Sequence, residues 1–204
     1  MTDETTRRTL SHYERSAESF WQGTRDHDVS QNIEALLSAL NRPPPPPLRI
    51  LEFGCGPGRD LKTFVERGHV AIGLDGCARF CEMAREYSGC DVWHQDFLAL
   101  ALPPTAFDGV FANASLFHVP SVDLPRVLRE LADTIVPGGV VFFSNPRGDD
   151  REGWSGDRYG CYFDVERWRA LFTAASFVEF DCYYRPADRP RHEQPWLAMT
   201  WRKP

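Results

Sequence analysis

The 204-residue sequence predicts an α/β fold built on a mostly parallel sheet. Three observations predict it. From residue 48 onward, apolar runs of strand length alternate with amphipathic stretches of helix length. A glycine-rich turn, Gly54-Cys55-Gly56-Pro57-Gly58, stands between the first such run and the first helix after it. The last two runs, 177–184 and 196–201, have no helix between them and read as an antiparallel pair at one sheet edge.

The chain opens with two helical stretches. Residues 9–22 place Tyr13, Ala17, Phe20 and Trp21 at helix spacing. The polar segment 22–28 interrupts. Residues 29–40 form a second helix with Val29, Ile33, Leu36, Leu37 and Leu40 on its apolar side and Asp28 placed to cap it. Five prolines, 43–47, exclude helix and central strand and give a short stiff spacer. This divides the chain into an N-terminal helical cap (1–42), the spacer (43–47) and a core (48–204). Within the core the pattern gives strands at 48–53, 70–74, 91–94, 107–112, 140–144, 177–184 and 196–201. Helices are expected at 60–66, 77–87, 124–135 and 165–175, the third stopped by Pro137-Gly138-Gly139. In such a sheet the ligand belongs at the carboxyl ends of the strands.

Composition narrows the function. With 14 Phe and 6 Trp the chain has ample apolar surface to bury, which excludes wholesale disorder. A net charge of −6 argues against a nucleic-acid partner. Only Lys62 and Lys203 are lysines, so positive charge is almost all arginine, suited to bidentate carboxylate or phosphate contacts. No apolar run approaches membrane-spanning length, and the first residues have no apolar signal region. The six cysteines show no CxxC and no zinc spacing, so no metal site is expected, and reduced thiols in a cytoplasmic setting are.

The glycine turn, Glu52-Phe53-Gly54-Cys55-Gly56-Pro57-Gly58, fails the dinucleotide fingerprint in both registers, since Arg59 or Leu61 stands where the third glycine belongs. It fails the P-loop as well, having no Gly-Lys-Ser/Thr. The pattern E-x-G-x-G-x-G resembles instead the first motif of class I S-adenosylmethionine-dependent methyltransferases. Asp75-Gly76, 21 residues after Gly54 for the aspartate, Asp96-Phe97, Phe107–Val110, Asn113 and Pro137–Gly139 follow in the matching order. The resemblance implies a Rossmann-like fold with a seven-stranded, mostly parallel sheet, one antiparallel strand and an N-terminal helical cap. It implies S-adenosylmethionine as cofactor, held by Glu52, Gly54, Cys55, Gly56, Gly58, Asp75, Gly76, Asp96, Phe97 and Asn113. Asp75 would take the ribose hydroxyls, Asp96 the adenine amine and Phe97 the adenine face. Cys55 alone has no partner for nucleophilic chemistry and also reads as a small filler residue.

A narrower resemblance extends over almost the whole chain. Phe20–Asn32, Phe53–Leu61, Leu74–Cys90, Asn113–Pro120 and Ser144–Asp149 are similar to segments of the methyltransferase domain of ovothiol-forming enzymes. That implies methylation of the imidazole π nitrogen of 5-thiohistidine, or of its selenium analogue. It also implies supply of that substrate by an iron-dependent sulfoxide synthase, as a separate partner or as the rest of a larger enzyme. A zwitterionic amino acid calls for an arginine fork at its carboxylate and an acid at its ammonium. Arg147 and Arg25 are the candidates for the first and Asp28 for the second. Asn113, His118 and Asp28 are the catalytic candidates, and Tyr13, Trp21, Asn32 and Tyr159, with Tyr162, are further candidates around the ring. Four have a plain alternative: Asp28 as helix cap, Trp21 as core anchor, His118 as a packing or loop hydrogen-bonding residue, Arg147 as a helix-end or surface residue. Two rival functions remain open, a small-molecule O- or S-methyltransferase and a non-catalytic cofactor-binding subunit. A nucleic-acid methyltransferase is disfavoured by Asn113-Ala114-Ser115-Leu116, where a base-clamping Asn-Pro-Pro-Tyr would stand.

Overall fold

The computed structural model describes residues 2–40 and 47–204. Apart from Pro47, the spacer expected at 43–47 lies outside the described residues. Seven strands form one sheet: β1 (Arg49–Phe53), β2 (Val70–Asp75), β3 (Val92–His94), β4 (Phe107–Asn113), β5 (Ile135–Pro146), β8 (Val178–Arg185) and β9 (Trp196–Arg202). Their order is β3-β2-β1-β4-β5-β9-β8. Every pairing is parallel except those of β9, which lies antiparallel between β5 and β8. The last strand therefore inserts inside the sheet and leaves β8 at the edge. The order reverses beside β1, between β1 and β4, so a crevice opens at the carboxyl ends of these two strands.

The central strands are buried on both faces, which is why they read as apolar runs rather than alternations. On one face Val110, Ala112, Val141 and Phe143 meet α5 (Leu124–Thr134) and α6 (Val165–Ala174). On the other, Phe111 and Phe142 stack with ring centroids 5.1 Å apart and meet α2 (Ser30–Ala39) and α3 (Arg59–Glu66). Helix α5 shows how sequence sets the layer. Leu124, Val127, Leu128 and Leu131 recur at i, i+3, i+4 and i+7, and all four are fully buried.

Four elements differ from the sequence expectation. Helix α1 (Thr2–Thr24) begins seven residues before the expected start at residue 9. Polar side chains there carry no apolar period, and tertiary contacts hold the extra turns. Arg8 pairs with Asp157 at 2.8 Å, and Thr9 Oγ1 accepts the Tyr159 N–H. Helix α2 is a layer of the core rather than part of a lid, since Ile33 and Leu36 pack into the same cluster as Ile50, Phe111 and Phe142. Strand β5 starts at Ile135, so α5 ends at Thr134 before the Pro137-Gly138-Gly139 stop. Phe107 faces Ile135 while Gly109 faces Val140, and the extra β5 residues form a bulge. At Gly139 a Cβ would lie 2.3 Å from Ile135 Cγ2, so only glycine fits this bulge. Finally, a hairpin of β6 (Arg151–Ser155) and β7 (Arg158–Tyr162) stands where no strand was expected. Its outer strand is mostly exposed and carries no apolar alternation that would mark it.

Candidate active site

A cavity of about 680 Å³ opens at the carboxyl ends of β1, β2, β4, β5 and β8, beneath α1 and beside the β6–β7 hairpin. Its floor is the glycine turn. Gly54, Gly56 and Gly58 all have positive φ, of 80°, 51° and 91°. The Gly54 and Cys55 N–H groups both bond the Leu74 carbonyl, which ties the turn to β2. Asp75 ends β2 and braces the turn from the side. Its Oδ2 accepts the Gly56 N–H and its Oδ1 the Cys77 N–H, each at 2.9 Å. Burial raises the Asp75 carboxyl to about 6, against the pull of these backbone bonds. Beside it, Glu52 Oε2 is buried without a hydrogen-bond partner among the described residues, and burial drives its carboxyl well above the usual range. Cys55 is buried, and burial likewise pushes its thiol up, so it packs as a small residue rather than as a thiolate. Asp96 turns the chain after β3 by accepting the Leu98 N–H, and Phe97 stacks on Phe53 with centroids 4.1 Å apart.

A second group lies across the cavity. His118 Nδ1 is 2.6 Å from the Tyr159 carbonyl oxygen, which can only accept, so Nδ1 carries the hydrogen. Nε2 is then a lone pair, and the Tyr13 hydroxyl 2.9 Å away donates to it. Burial lowers the imidazole to about 4, so His118 is neutral at neutral pH. Burial also raises the Tyr13 phenol, opposed by the hydrogen-bonded Arg158 guanidinium beside it. Tyr13 is fixed further by edge-on packing against Phe20 and contact with Phe80.

The sequence candidates divide accordingly. Tyr13, Trp21, Asp28, Glu52, Gly54, Cys55, Gly56, Asp75, Gly76, Asp96, Phe97, Asn113 and His118 line the cavity. Gly58 sits just behind, capping α3 in a left-handed conformation. Asp28 is exposed at the rim, where its Oδ1 accepts the Ser30 N–H, and these Ser30 contacts hold its carboxyl low. Asn113 is engaged on both sides: Nδ2 donates to Asp60 Oδ2 at 3.2 Å and Oδ1 accepts from Asn32 Nδ2 at 3.0 Å.

Four candidates are placed elsewhere. Asn32 is fully buried behind Asn113, where its Oδ1 accepts the Tyr183 hydroxyl; it braces the wall instead of facing the cavity. The Tyr159 side chain turns outward to Glu152 Oε1, and its contribution is the carbonyl that orients His118. Arg25 is exposed and bonds Asp26. Arg147 lies over the Tyr184 ring, with its N–H on the Pro195 carbonyl. Neither side chain lines the cavity, although Thr24 and His27 around Arg25 and Pro146 before Arg147 do, and residue type alone does not reveal this. In their place Arg59, Arg158 and Arg185 line the cavity. Arg158 was missed with its hairpin; Arg185 was missed because β8 reads as an edge strand.

A family profile described as a methyltransferase domain matches residues 21–180. The chain belongs to this methyltransferase family. Among curated relatives, trans-aconitate 2-methyltransferase of Azoarcus sp. (strain BH72) is 34% identical over 103 residues, 50% of this chain and 40% of that protein. Malonyl-[acyl-carrier protein] O-methyltransferase of Erwinia pyrifoliae is 35% identical over 98 residues, 48% of this chain and 37% of that protein. The chain thus spans about two fifths of the length of these relatives. A solved structure similar throughout is Burkholderia thailandensis 1,6-didemethyltoxoflavin-N1-methyltransferase, with bound 1,6-didemethyltoxoflavin and S-adenosylhomocysteine. It matches with a TM-score of 0.82 at 22% identity, covering 100% of this chain and 90% of that one. The chain therefore has the Rossmann-like fold of this family, whose methyl donor is S-adenosylmethionine. Among its described residues no helix is long and apolar enough to cross a membrane.

Proposed function

We propose that this methyltransferase moves the methyl group of S-adenosylmethionine to a small amino-acid-like acceptor, the π nitrogen of 5-thiohistidine or its selenium analogue. The observation that carries the reading is the acceptor side of the cavity. A neutral imidazole–phenol pair, His118–Tyr13, lines the same cavity as an acid, Asp28, and a guanidinium, Arg185. Two of these four groups, Asp28 and His118, come from segments, 20–32 and 113–120, on which the resemblance to ovothiol-forming enzymes rests.

The other side of the cavity fits the cofactor. At Gly56 an added Cβ would meet nothing nearer than Phe20 Cε1 at 3.8 Å, so the turn leaves open space where a ligand can approach the backbone. Each Asp75 oxygen accepts one N–H and keeps a lone pair for a hydroxyl. The unpartnered Glu52 Oε2 suits a positively charged or hydrogen-donating group. Gly54–Gly58, Asp75, Gly76, Asp96 and Phe97 would hold it, with Asn113 at the boundary between the two halves. When bound, the cofactor supplies an electrophilic methyl group on a sulfonium.

What remains for the chain is orientation and exclusion of water. Helix α1 covers the site and is latched at two points. Glu14 Oε1 accepts the Ala78 N–H at the start of α4 (Ala78–Ser88), and Arg8 holds Asp157 in the turn of the hairpin. The Tyr13 proton is committed to His118 and Arg158 donates to one lone pair of its oxygen, which keeps the other. It can accept the N–H of an acceptor imidazole and turn the ring's other nitrogen toward the donor. No strong base is required, because the methylated thiohistidine ring balances its charge through the thiolate. On this reading an iron-dependent sulfoxide synthase, as another chain or another domain, supplies the acceptor.

A mass-spectrometric methyl-transfer assay tests the function. The protein is given S-adenosylmethionine with 5-thiohistidine, histidine, a thiol or a catechol in separate reactions. A methyl gain on thiohistidine alone, placed on the π nitrogen by NMR, is expected. Gain on the thiol or catechol instead favours the O- or S-methyltransferase rival, and cofactor binding with no turnover overturns the thiohistidine reading in favour of another acceptor or of the non-catalytic subunit, which stable co-purification with a synthase partner would distinguish. For the orienting pair, Tyr13→Phe removes the oxygen and leaves His118 Nε2 without its donor. Its kcat should fall roughly 10- to 100-fold, the range of a lost charge-free orienting contact in the transition state. Affinity for S-adenosylhomocysteine should stay within about threefold; an unchanged kcat removes Tyr13 from the mechanism.

A further inference from the structure

Of the described residues that line the cavity, three are arginines, and two of them are already engaged. Arg59 grips Asp60 through Nε and Nη2, at 2.6 and 3.0 Å, and donates Nη1 to the Thr24 carbonyl. Arg158 is turned to the Tyr13 phenol. Arg185 differs: its Nη1 is buried and has no hydrogen-bond partner among the described residues. A buried guanidinium nitrogen left unpaired is costly to folding, and such orphans recur where a ligand completes the bonding.

Its place in the fold says which ligand. Arg185 ends β8, where it faces Trp196 of β9, and Trp196 faces Pro146 at the end of β5. All three line the cavity. In the sheet, β8 stands four strand steps from β1, roughly 19 Å at the usual spacing of about 4.8 Å. Arg185 is thus far from the glycine turn, at the β8 end of the cavity. Asp28 lines the same cavity, and its carboxyl feels the Arg185 charge while its bonded partner is Ser30. A guanidinium with an open donor and a nearby carboxylate offer opposite charges to one ligand. The planar fork of arginine matches a carboxylate.

We infer that Arg185 is the specificity-determining residue that binds the α-carboxylate of an amino-acid acceptor, with Asp28 facing its ammonium group. The inference rests on the amino-acid reading of the acceptor given above. It replaces Arg147 and Arg25, the sequence candidates for this role, neither of which reaches the cavity.

The test compares Arg185→Met and Arg185→Lys with the wild type on 5-thiohistidine and on its decarboxylated amine. Loss of a charge-assisted bond should raise KM for the amino acid roughly 10- to 100-fold in the Met variant. For the amine the rise should stay below about threefold, with kcat and S-adenosylhomocysteine affinity preserved. The Lys variant, which keeps charge but not the fork, should fall between, and it carries the comparison if the Met variant does not fold. Equal effects on both substrates, or none on either, overturn the assignment. Calorimetric titration of histidine and histamine into the S-adenosylhomocysteine complex separates this inference from the reaction itself. If thiohistidine is not methylated but histidine binds over histamine in an Arg185-dependent way, the proposed reaction fails and the carboxylate site stands. If thiohistidine is methylated and Arg185→Met treats acid and amine alike, the reaction stands and the site fails. A wild type that binds neither histidine nor thiohistidine overturns both.

Discussion

Replacing Asp75 by Asn should cost about 100-fold or more in affinity for S-adenosylhomocysteine while leaving the melting temperature nearly unchanged. The two effects part for a physical reason. Both Asp75 oxygens accept backbone N–H groups, from Gly56 and Cys77. An asparagine keeps one acceptor but turns an NH2 donor toward one of those N–H groups, so the glycine turn loses its brace. Against this, the wild-type carboxylate is buried, and its raised value near 6 means that burying it ionised opposes folding at neutral pH. The neutral amide removes that cost, and the two terms offset in stability but not in binding. The wild type should also show a pH signature. Binding that needs the carboxylate is complete above about pH 6 and weakens about tenfold per unit below it, whereas the Asn variant should be flat. Isothermal titration between pH 5 and 8 checks both. A flat wild-type curve, or an Asn variant within about threefold of wild type, removes Asp75 from the cofactor site.

The same titration has a structural counterpart with the opposite sign. His118 is depressed to about 4 in the folded protein and returns to its ordinary value near 6.5 when unfolded. Its contribution to stability is lost as pH falls between those values, because the unfolded chain takes up the proton more readily. Asp75 binds its proton more readily when folded, so over about pH 6 to 4 it gains stability as pH falls. The fold should therefore lose less stability on mild acidification than it loses cofactor affinity.

The glycine-turn half of this cavity was legible in the sequence because it is local. The glycines and the acid at the end of β2 each sit at a strand-to-helix junction, Asp96-Phe97 directly follows β3, and chain order places them. The half across the cavity was not legible to the same degree because it is assembled from distant segments. Tyr13 and His118, 105 residues apart, were both named as candidates, yet nothing in the sequence pairs them or fixes the imidazole tautomer. That tautomer depends on a backbone carbonyl, Tyr159, in a hairpin whose outer strand is exposed and has no apolar period. The arginines failed for a related reason. Arg147 follows β5 directly and looked well placed, but β9 enters the sheet antiparallel beside β5 and brings Trp196 to the rim. The chain at Arg147 then bonds the Pro195 carbonyl and its side chain does not line the cavity, while Arg185 is carried in on β8. Sheet order decides this, and a strand's neighbour cannot be read from its own residues. Asn32 shows the converse: an amide in a polar segment drew attention as a ligand, yet it is wholly buried, completing the chain Asp60–Asn113–Asn32–Tyr183.

The three glycines of the turn should respond differently to substitution, and the contrast separates folding from cofactor binding. At Gly58 an added Cβ would lie 2.8 Å from the Ala84 Cα, backbone of α4 that cannot swing aside. At Gly54 it would lie 2.3 Å from Ser115 Cβ, and the Ser115 hydroxyl is itself held by the Phe53 carbonyl. Both positions also have positive φ. Valine at either should cost several kcal/mol, of the order of an overpacked core with added backbone strain, and lower the melting temperature by about 10 °C or more. Gly56 has positive φ but open space around its missing Cβ. Alanine there should cost only about 1–2 kcal/mol for the left-handed backbone, a few degrees of melting temperature. Its methyl group nevertheless enters the volume in which a ligand would approach the turn, so S-adenosylhomocysteine affinity should drop at least tenfold in a folded protein. Thermal melts and titrations on the three variants decide the matter together. Gly56→Ala with normal affinity would show that the ligand does not approach the turn there, and Gly58→Val as stable as wild type would show that α4 yields. The expected division follows from what each glycine faces: at 54 and 58 the protein's own atoms, at 56 the cavity.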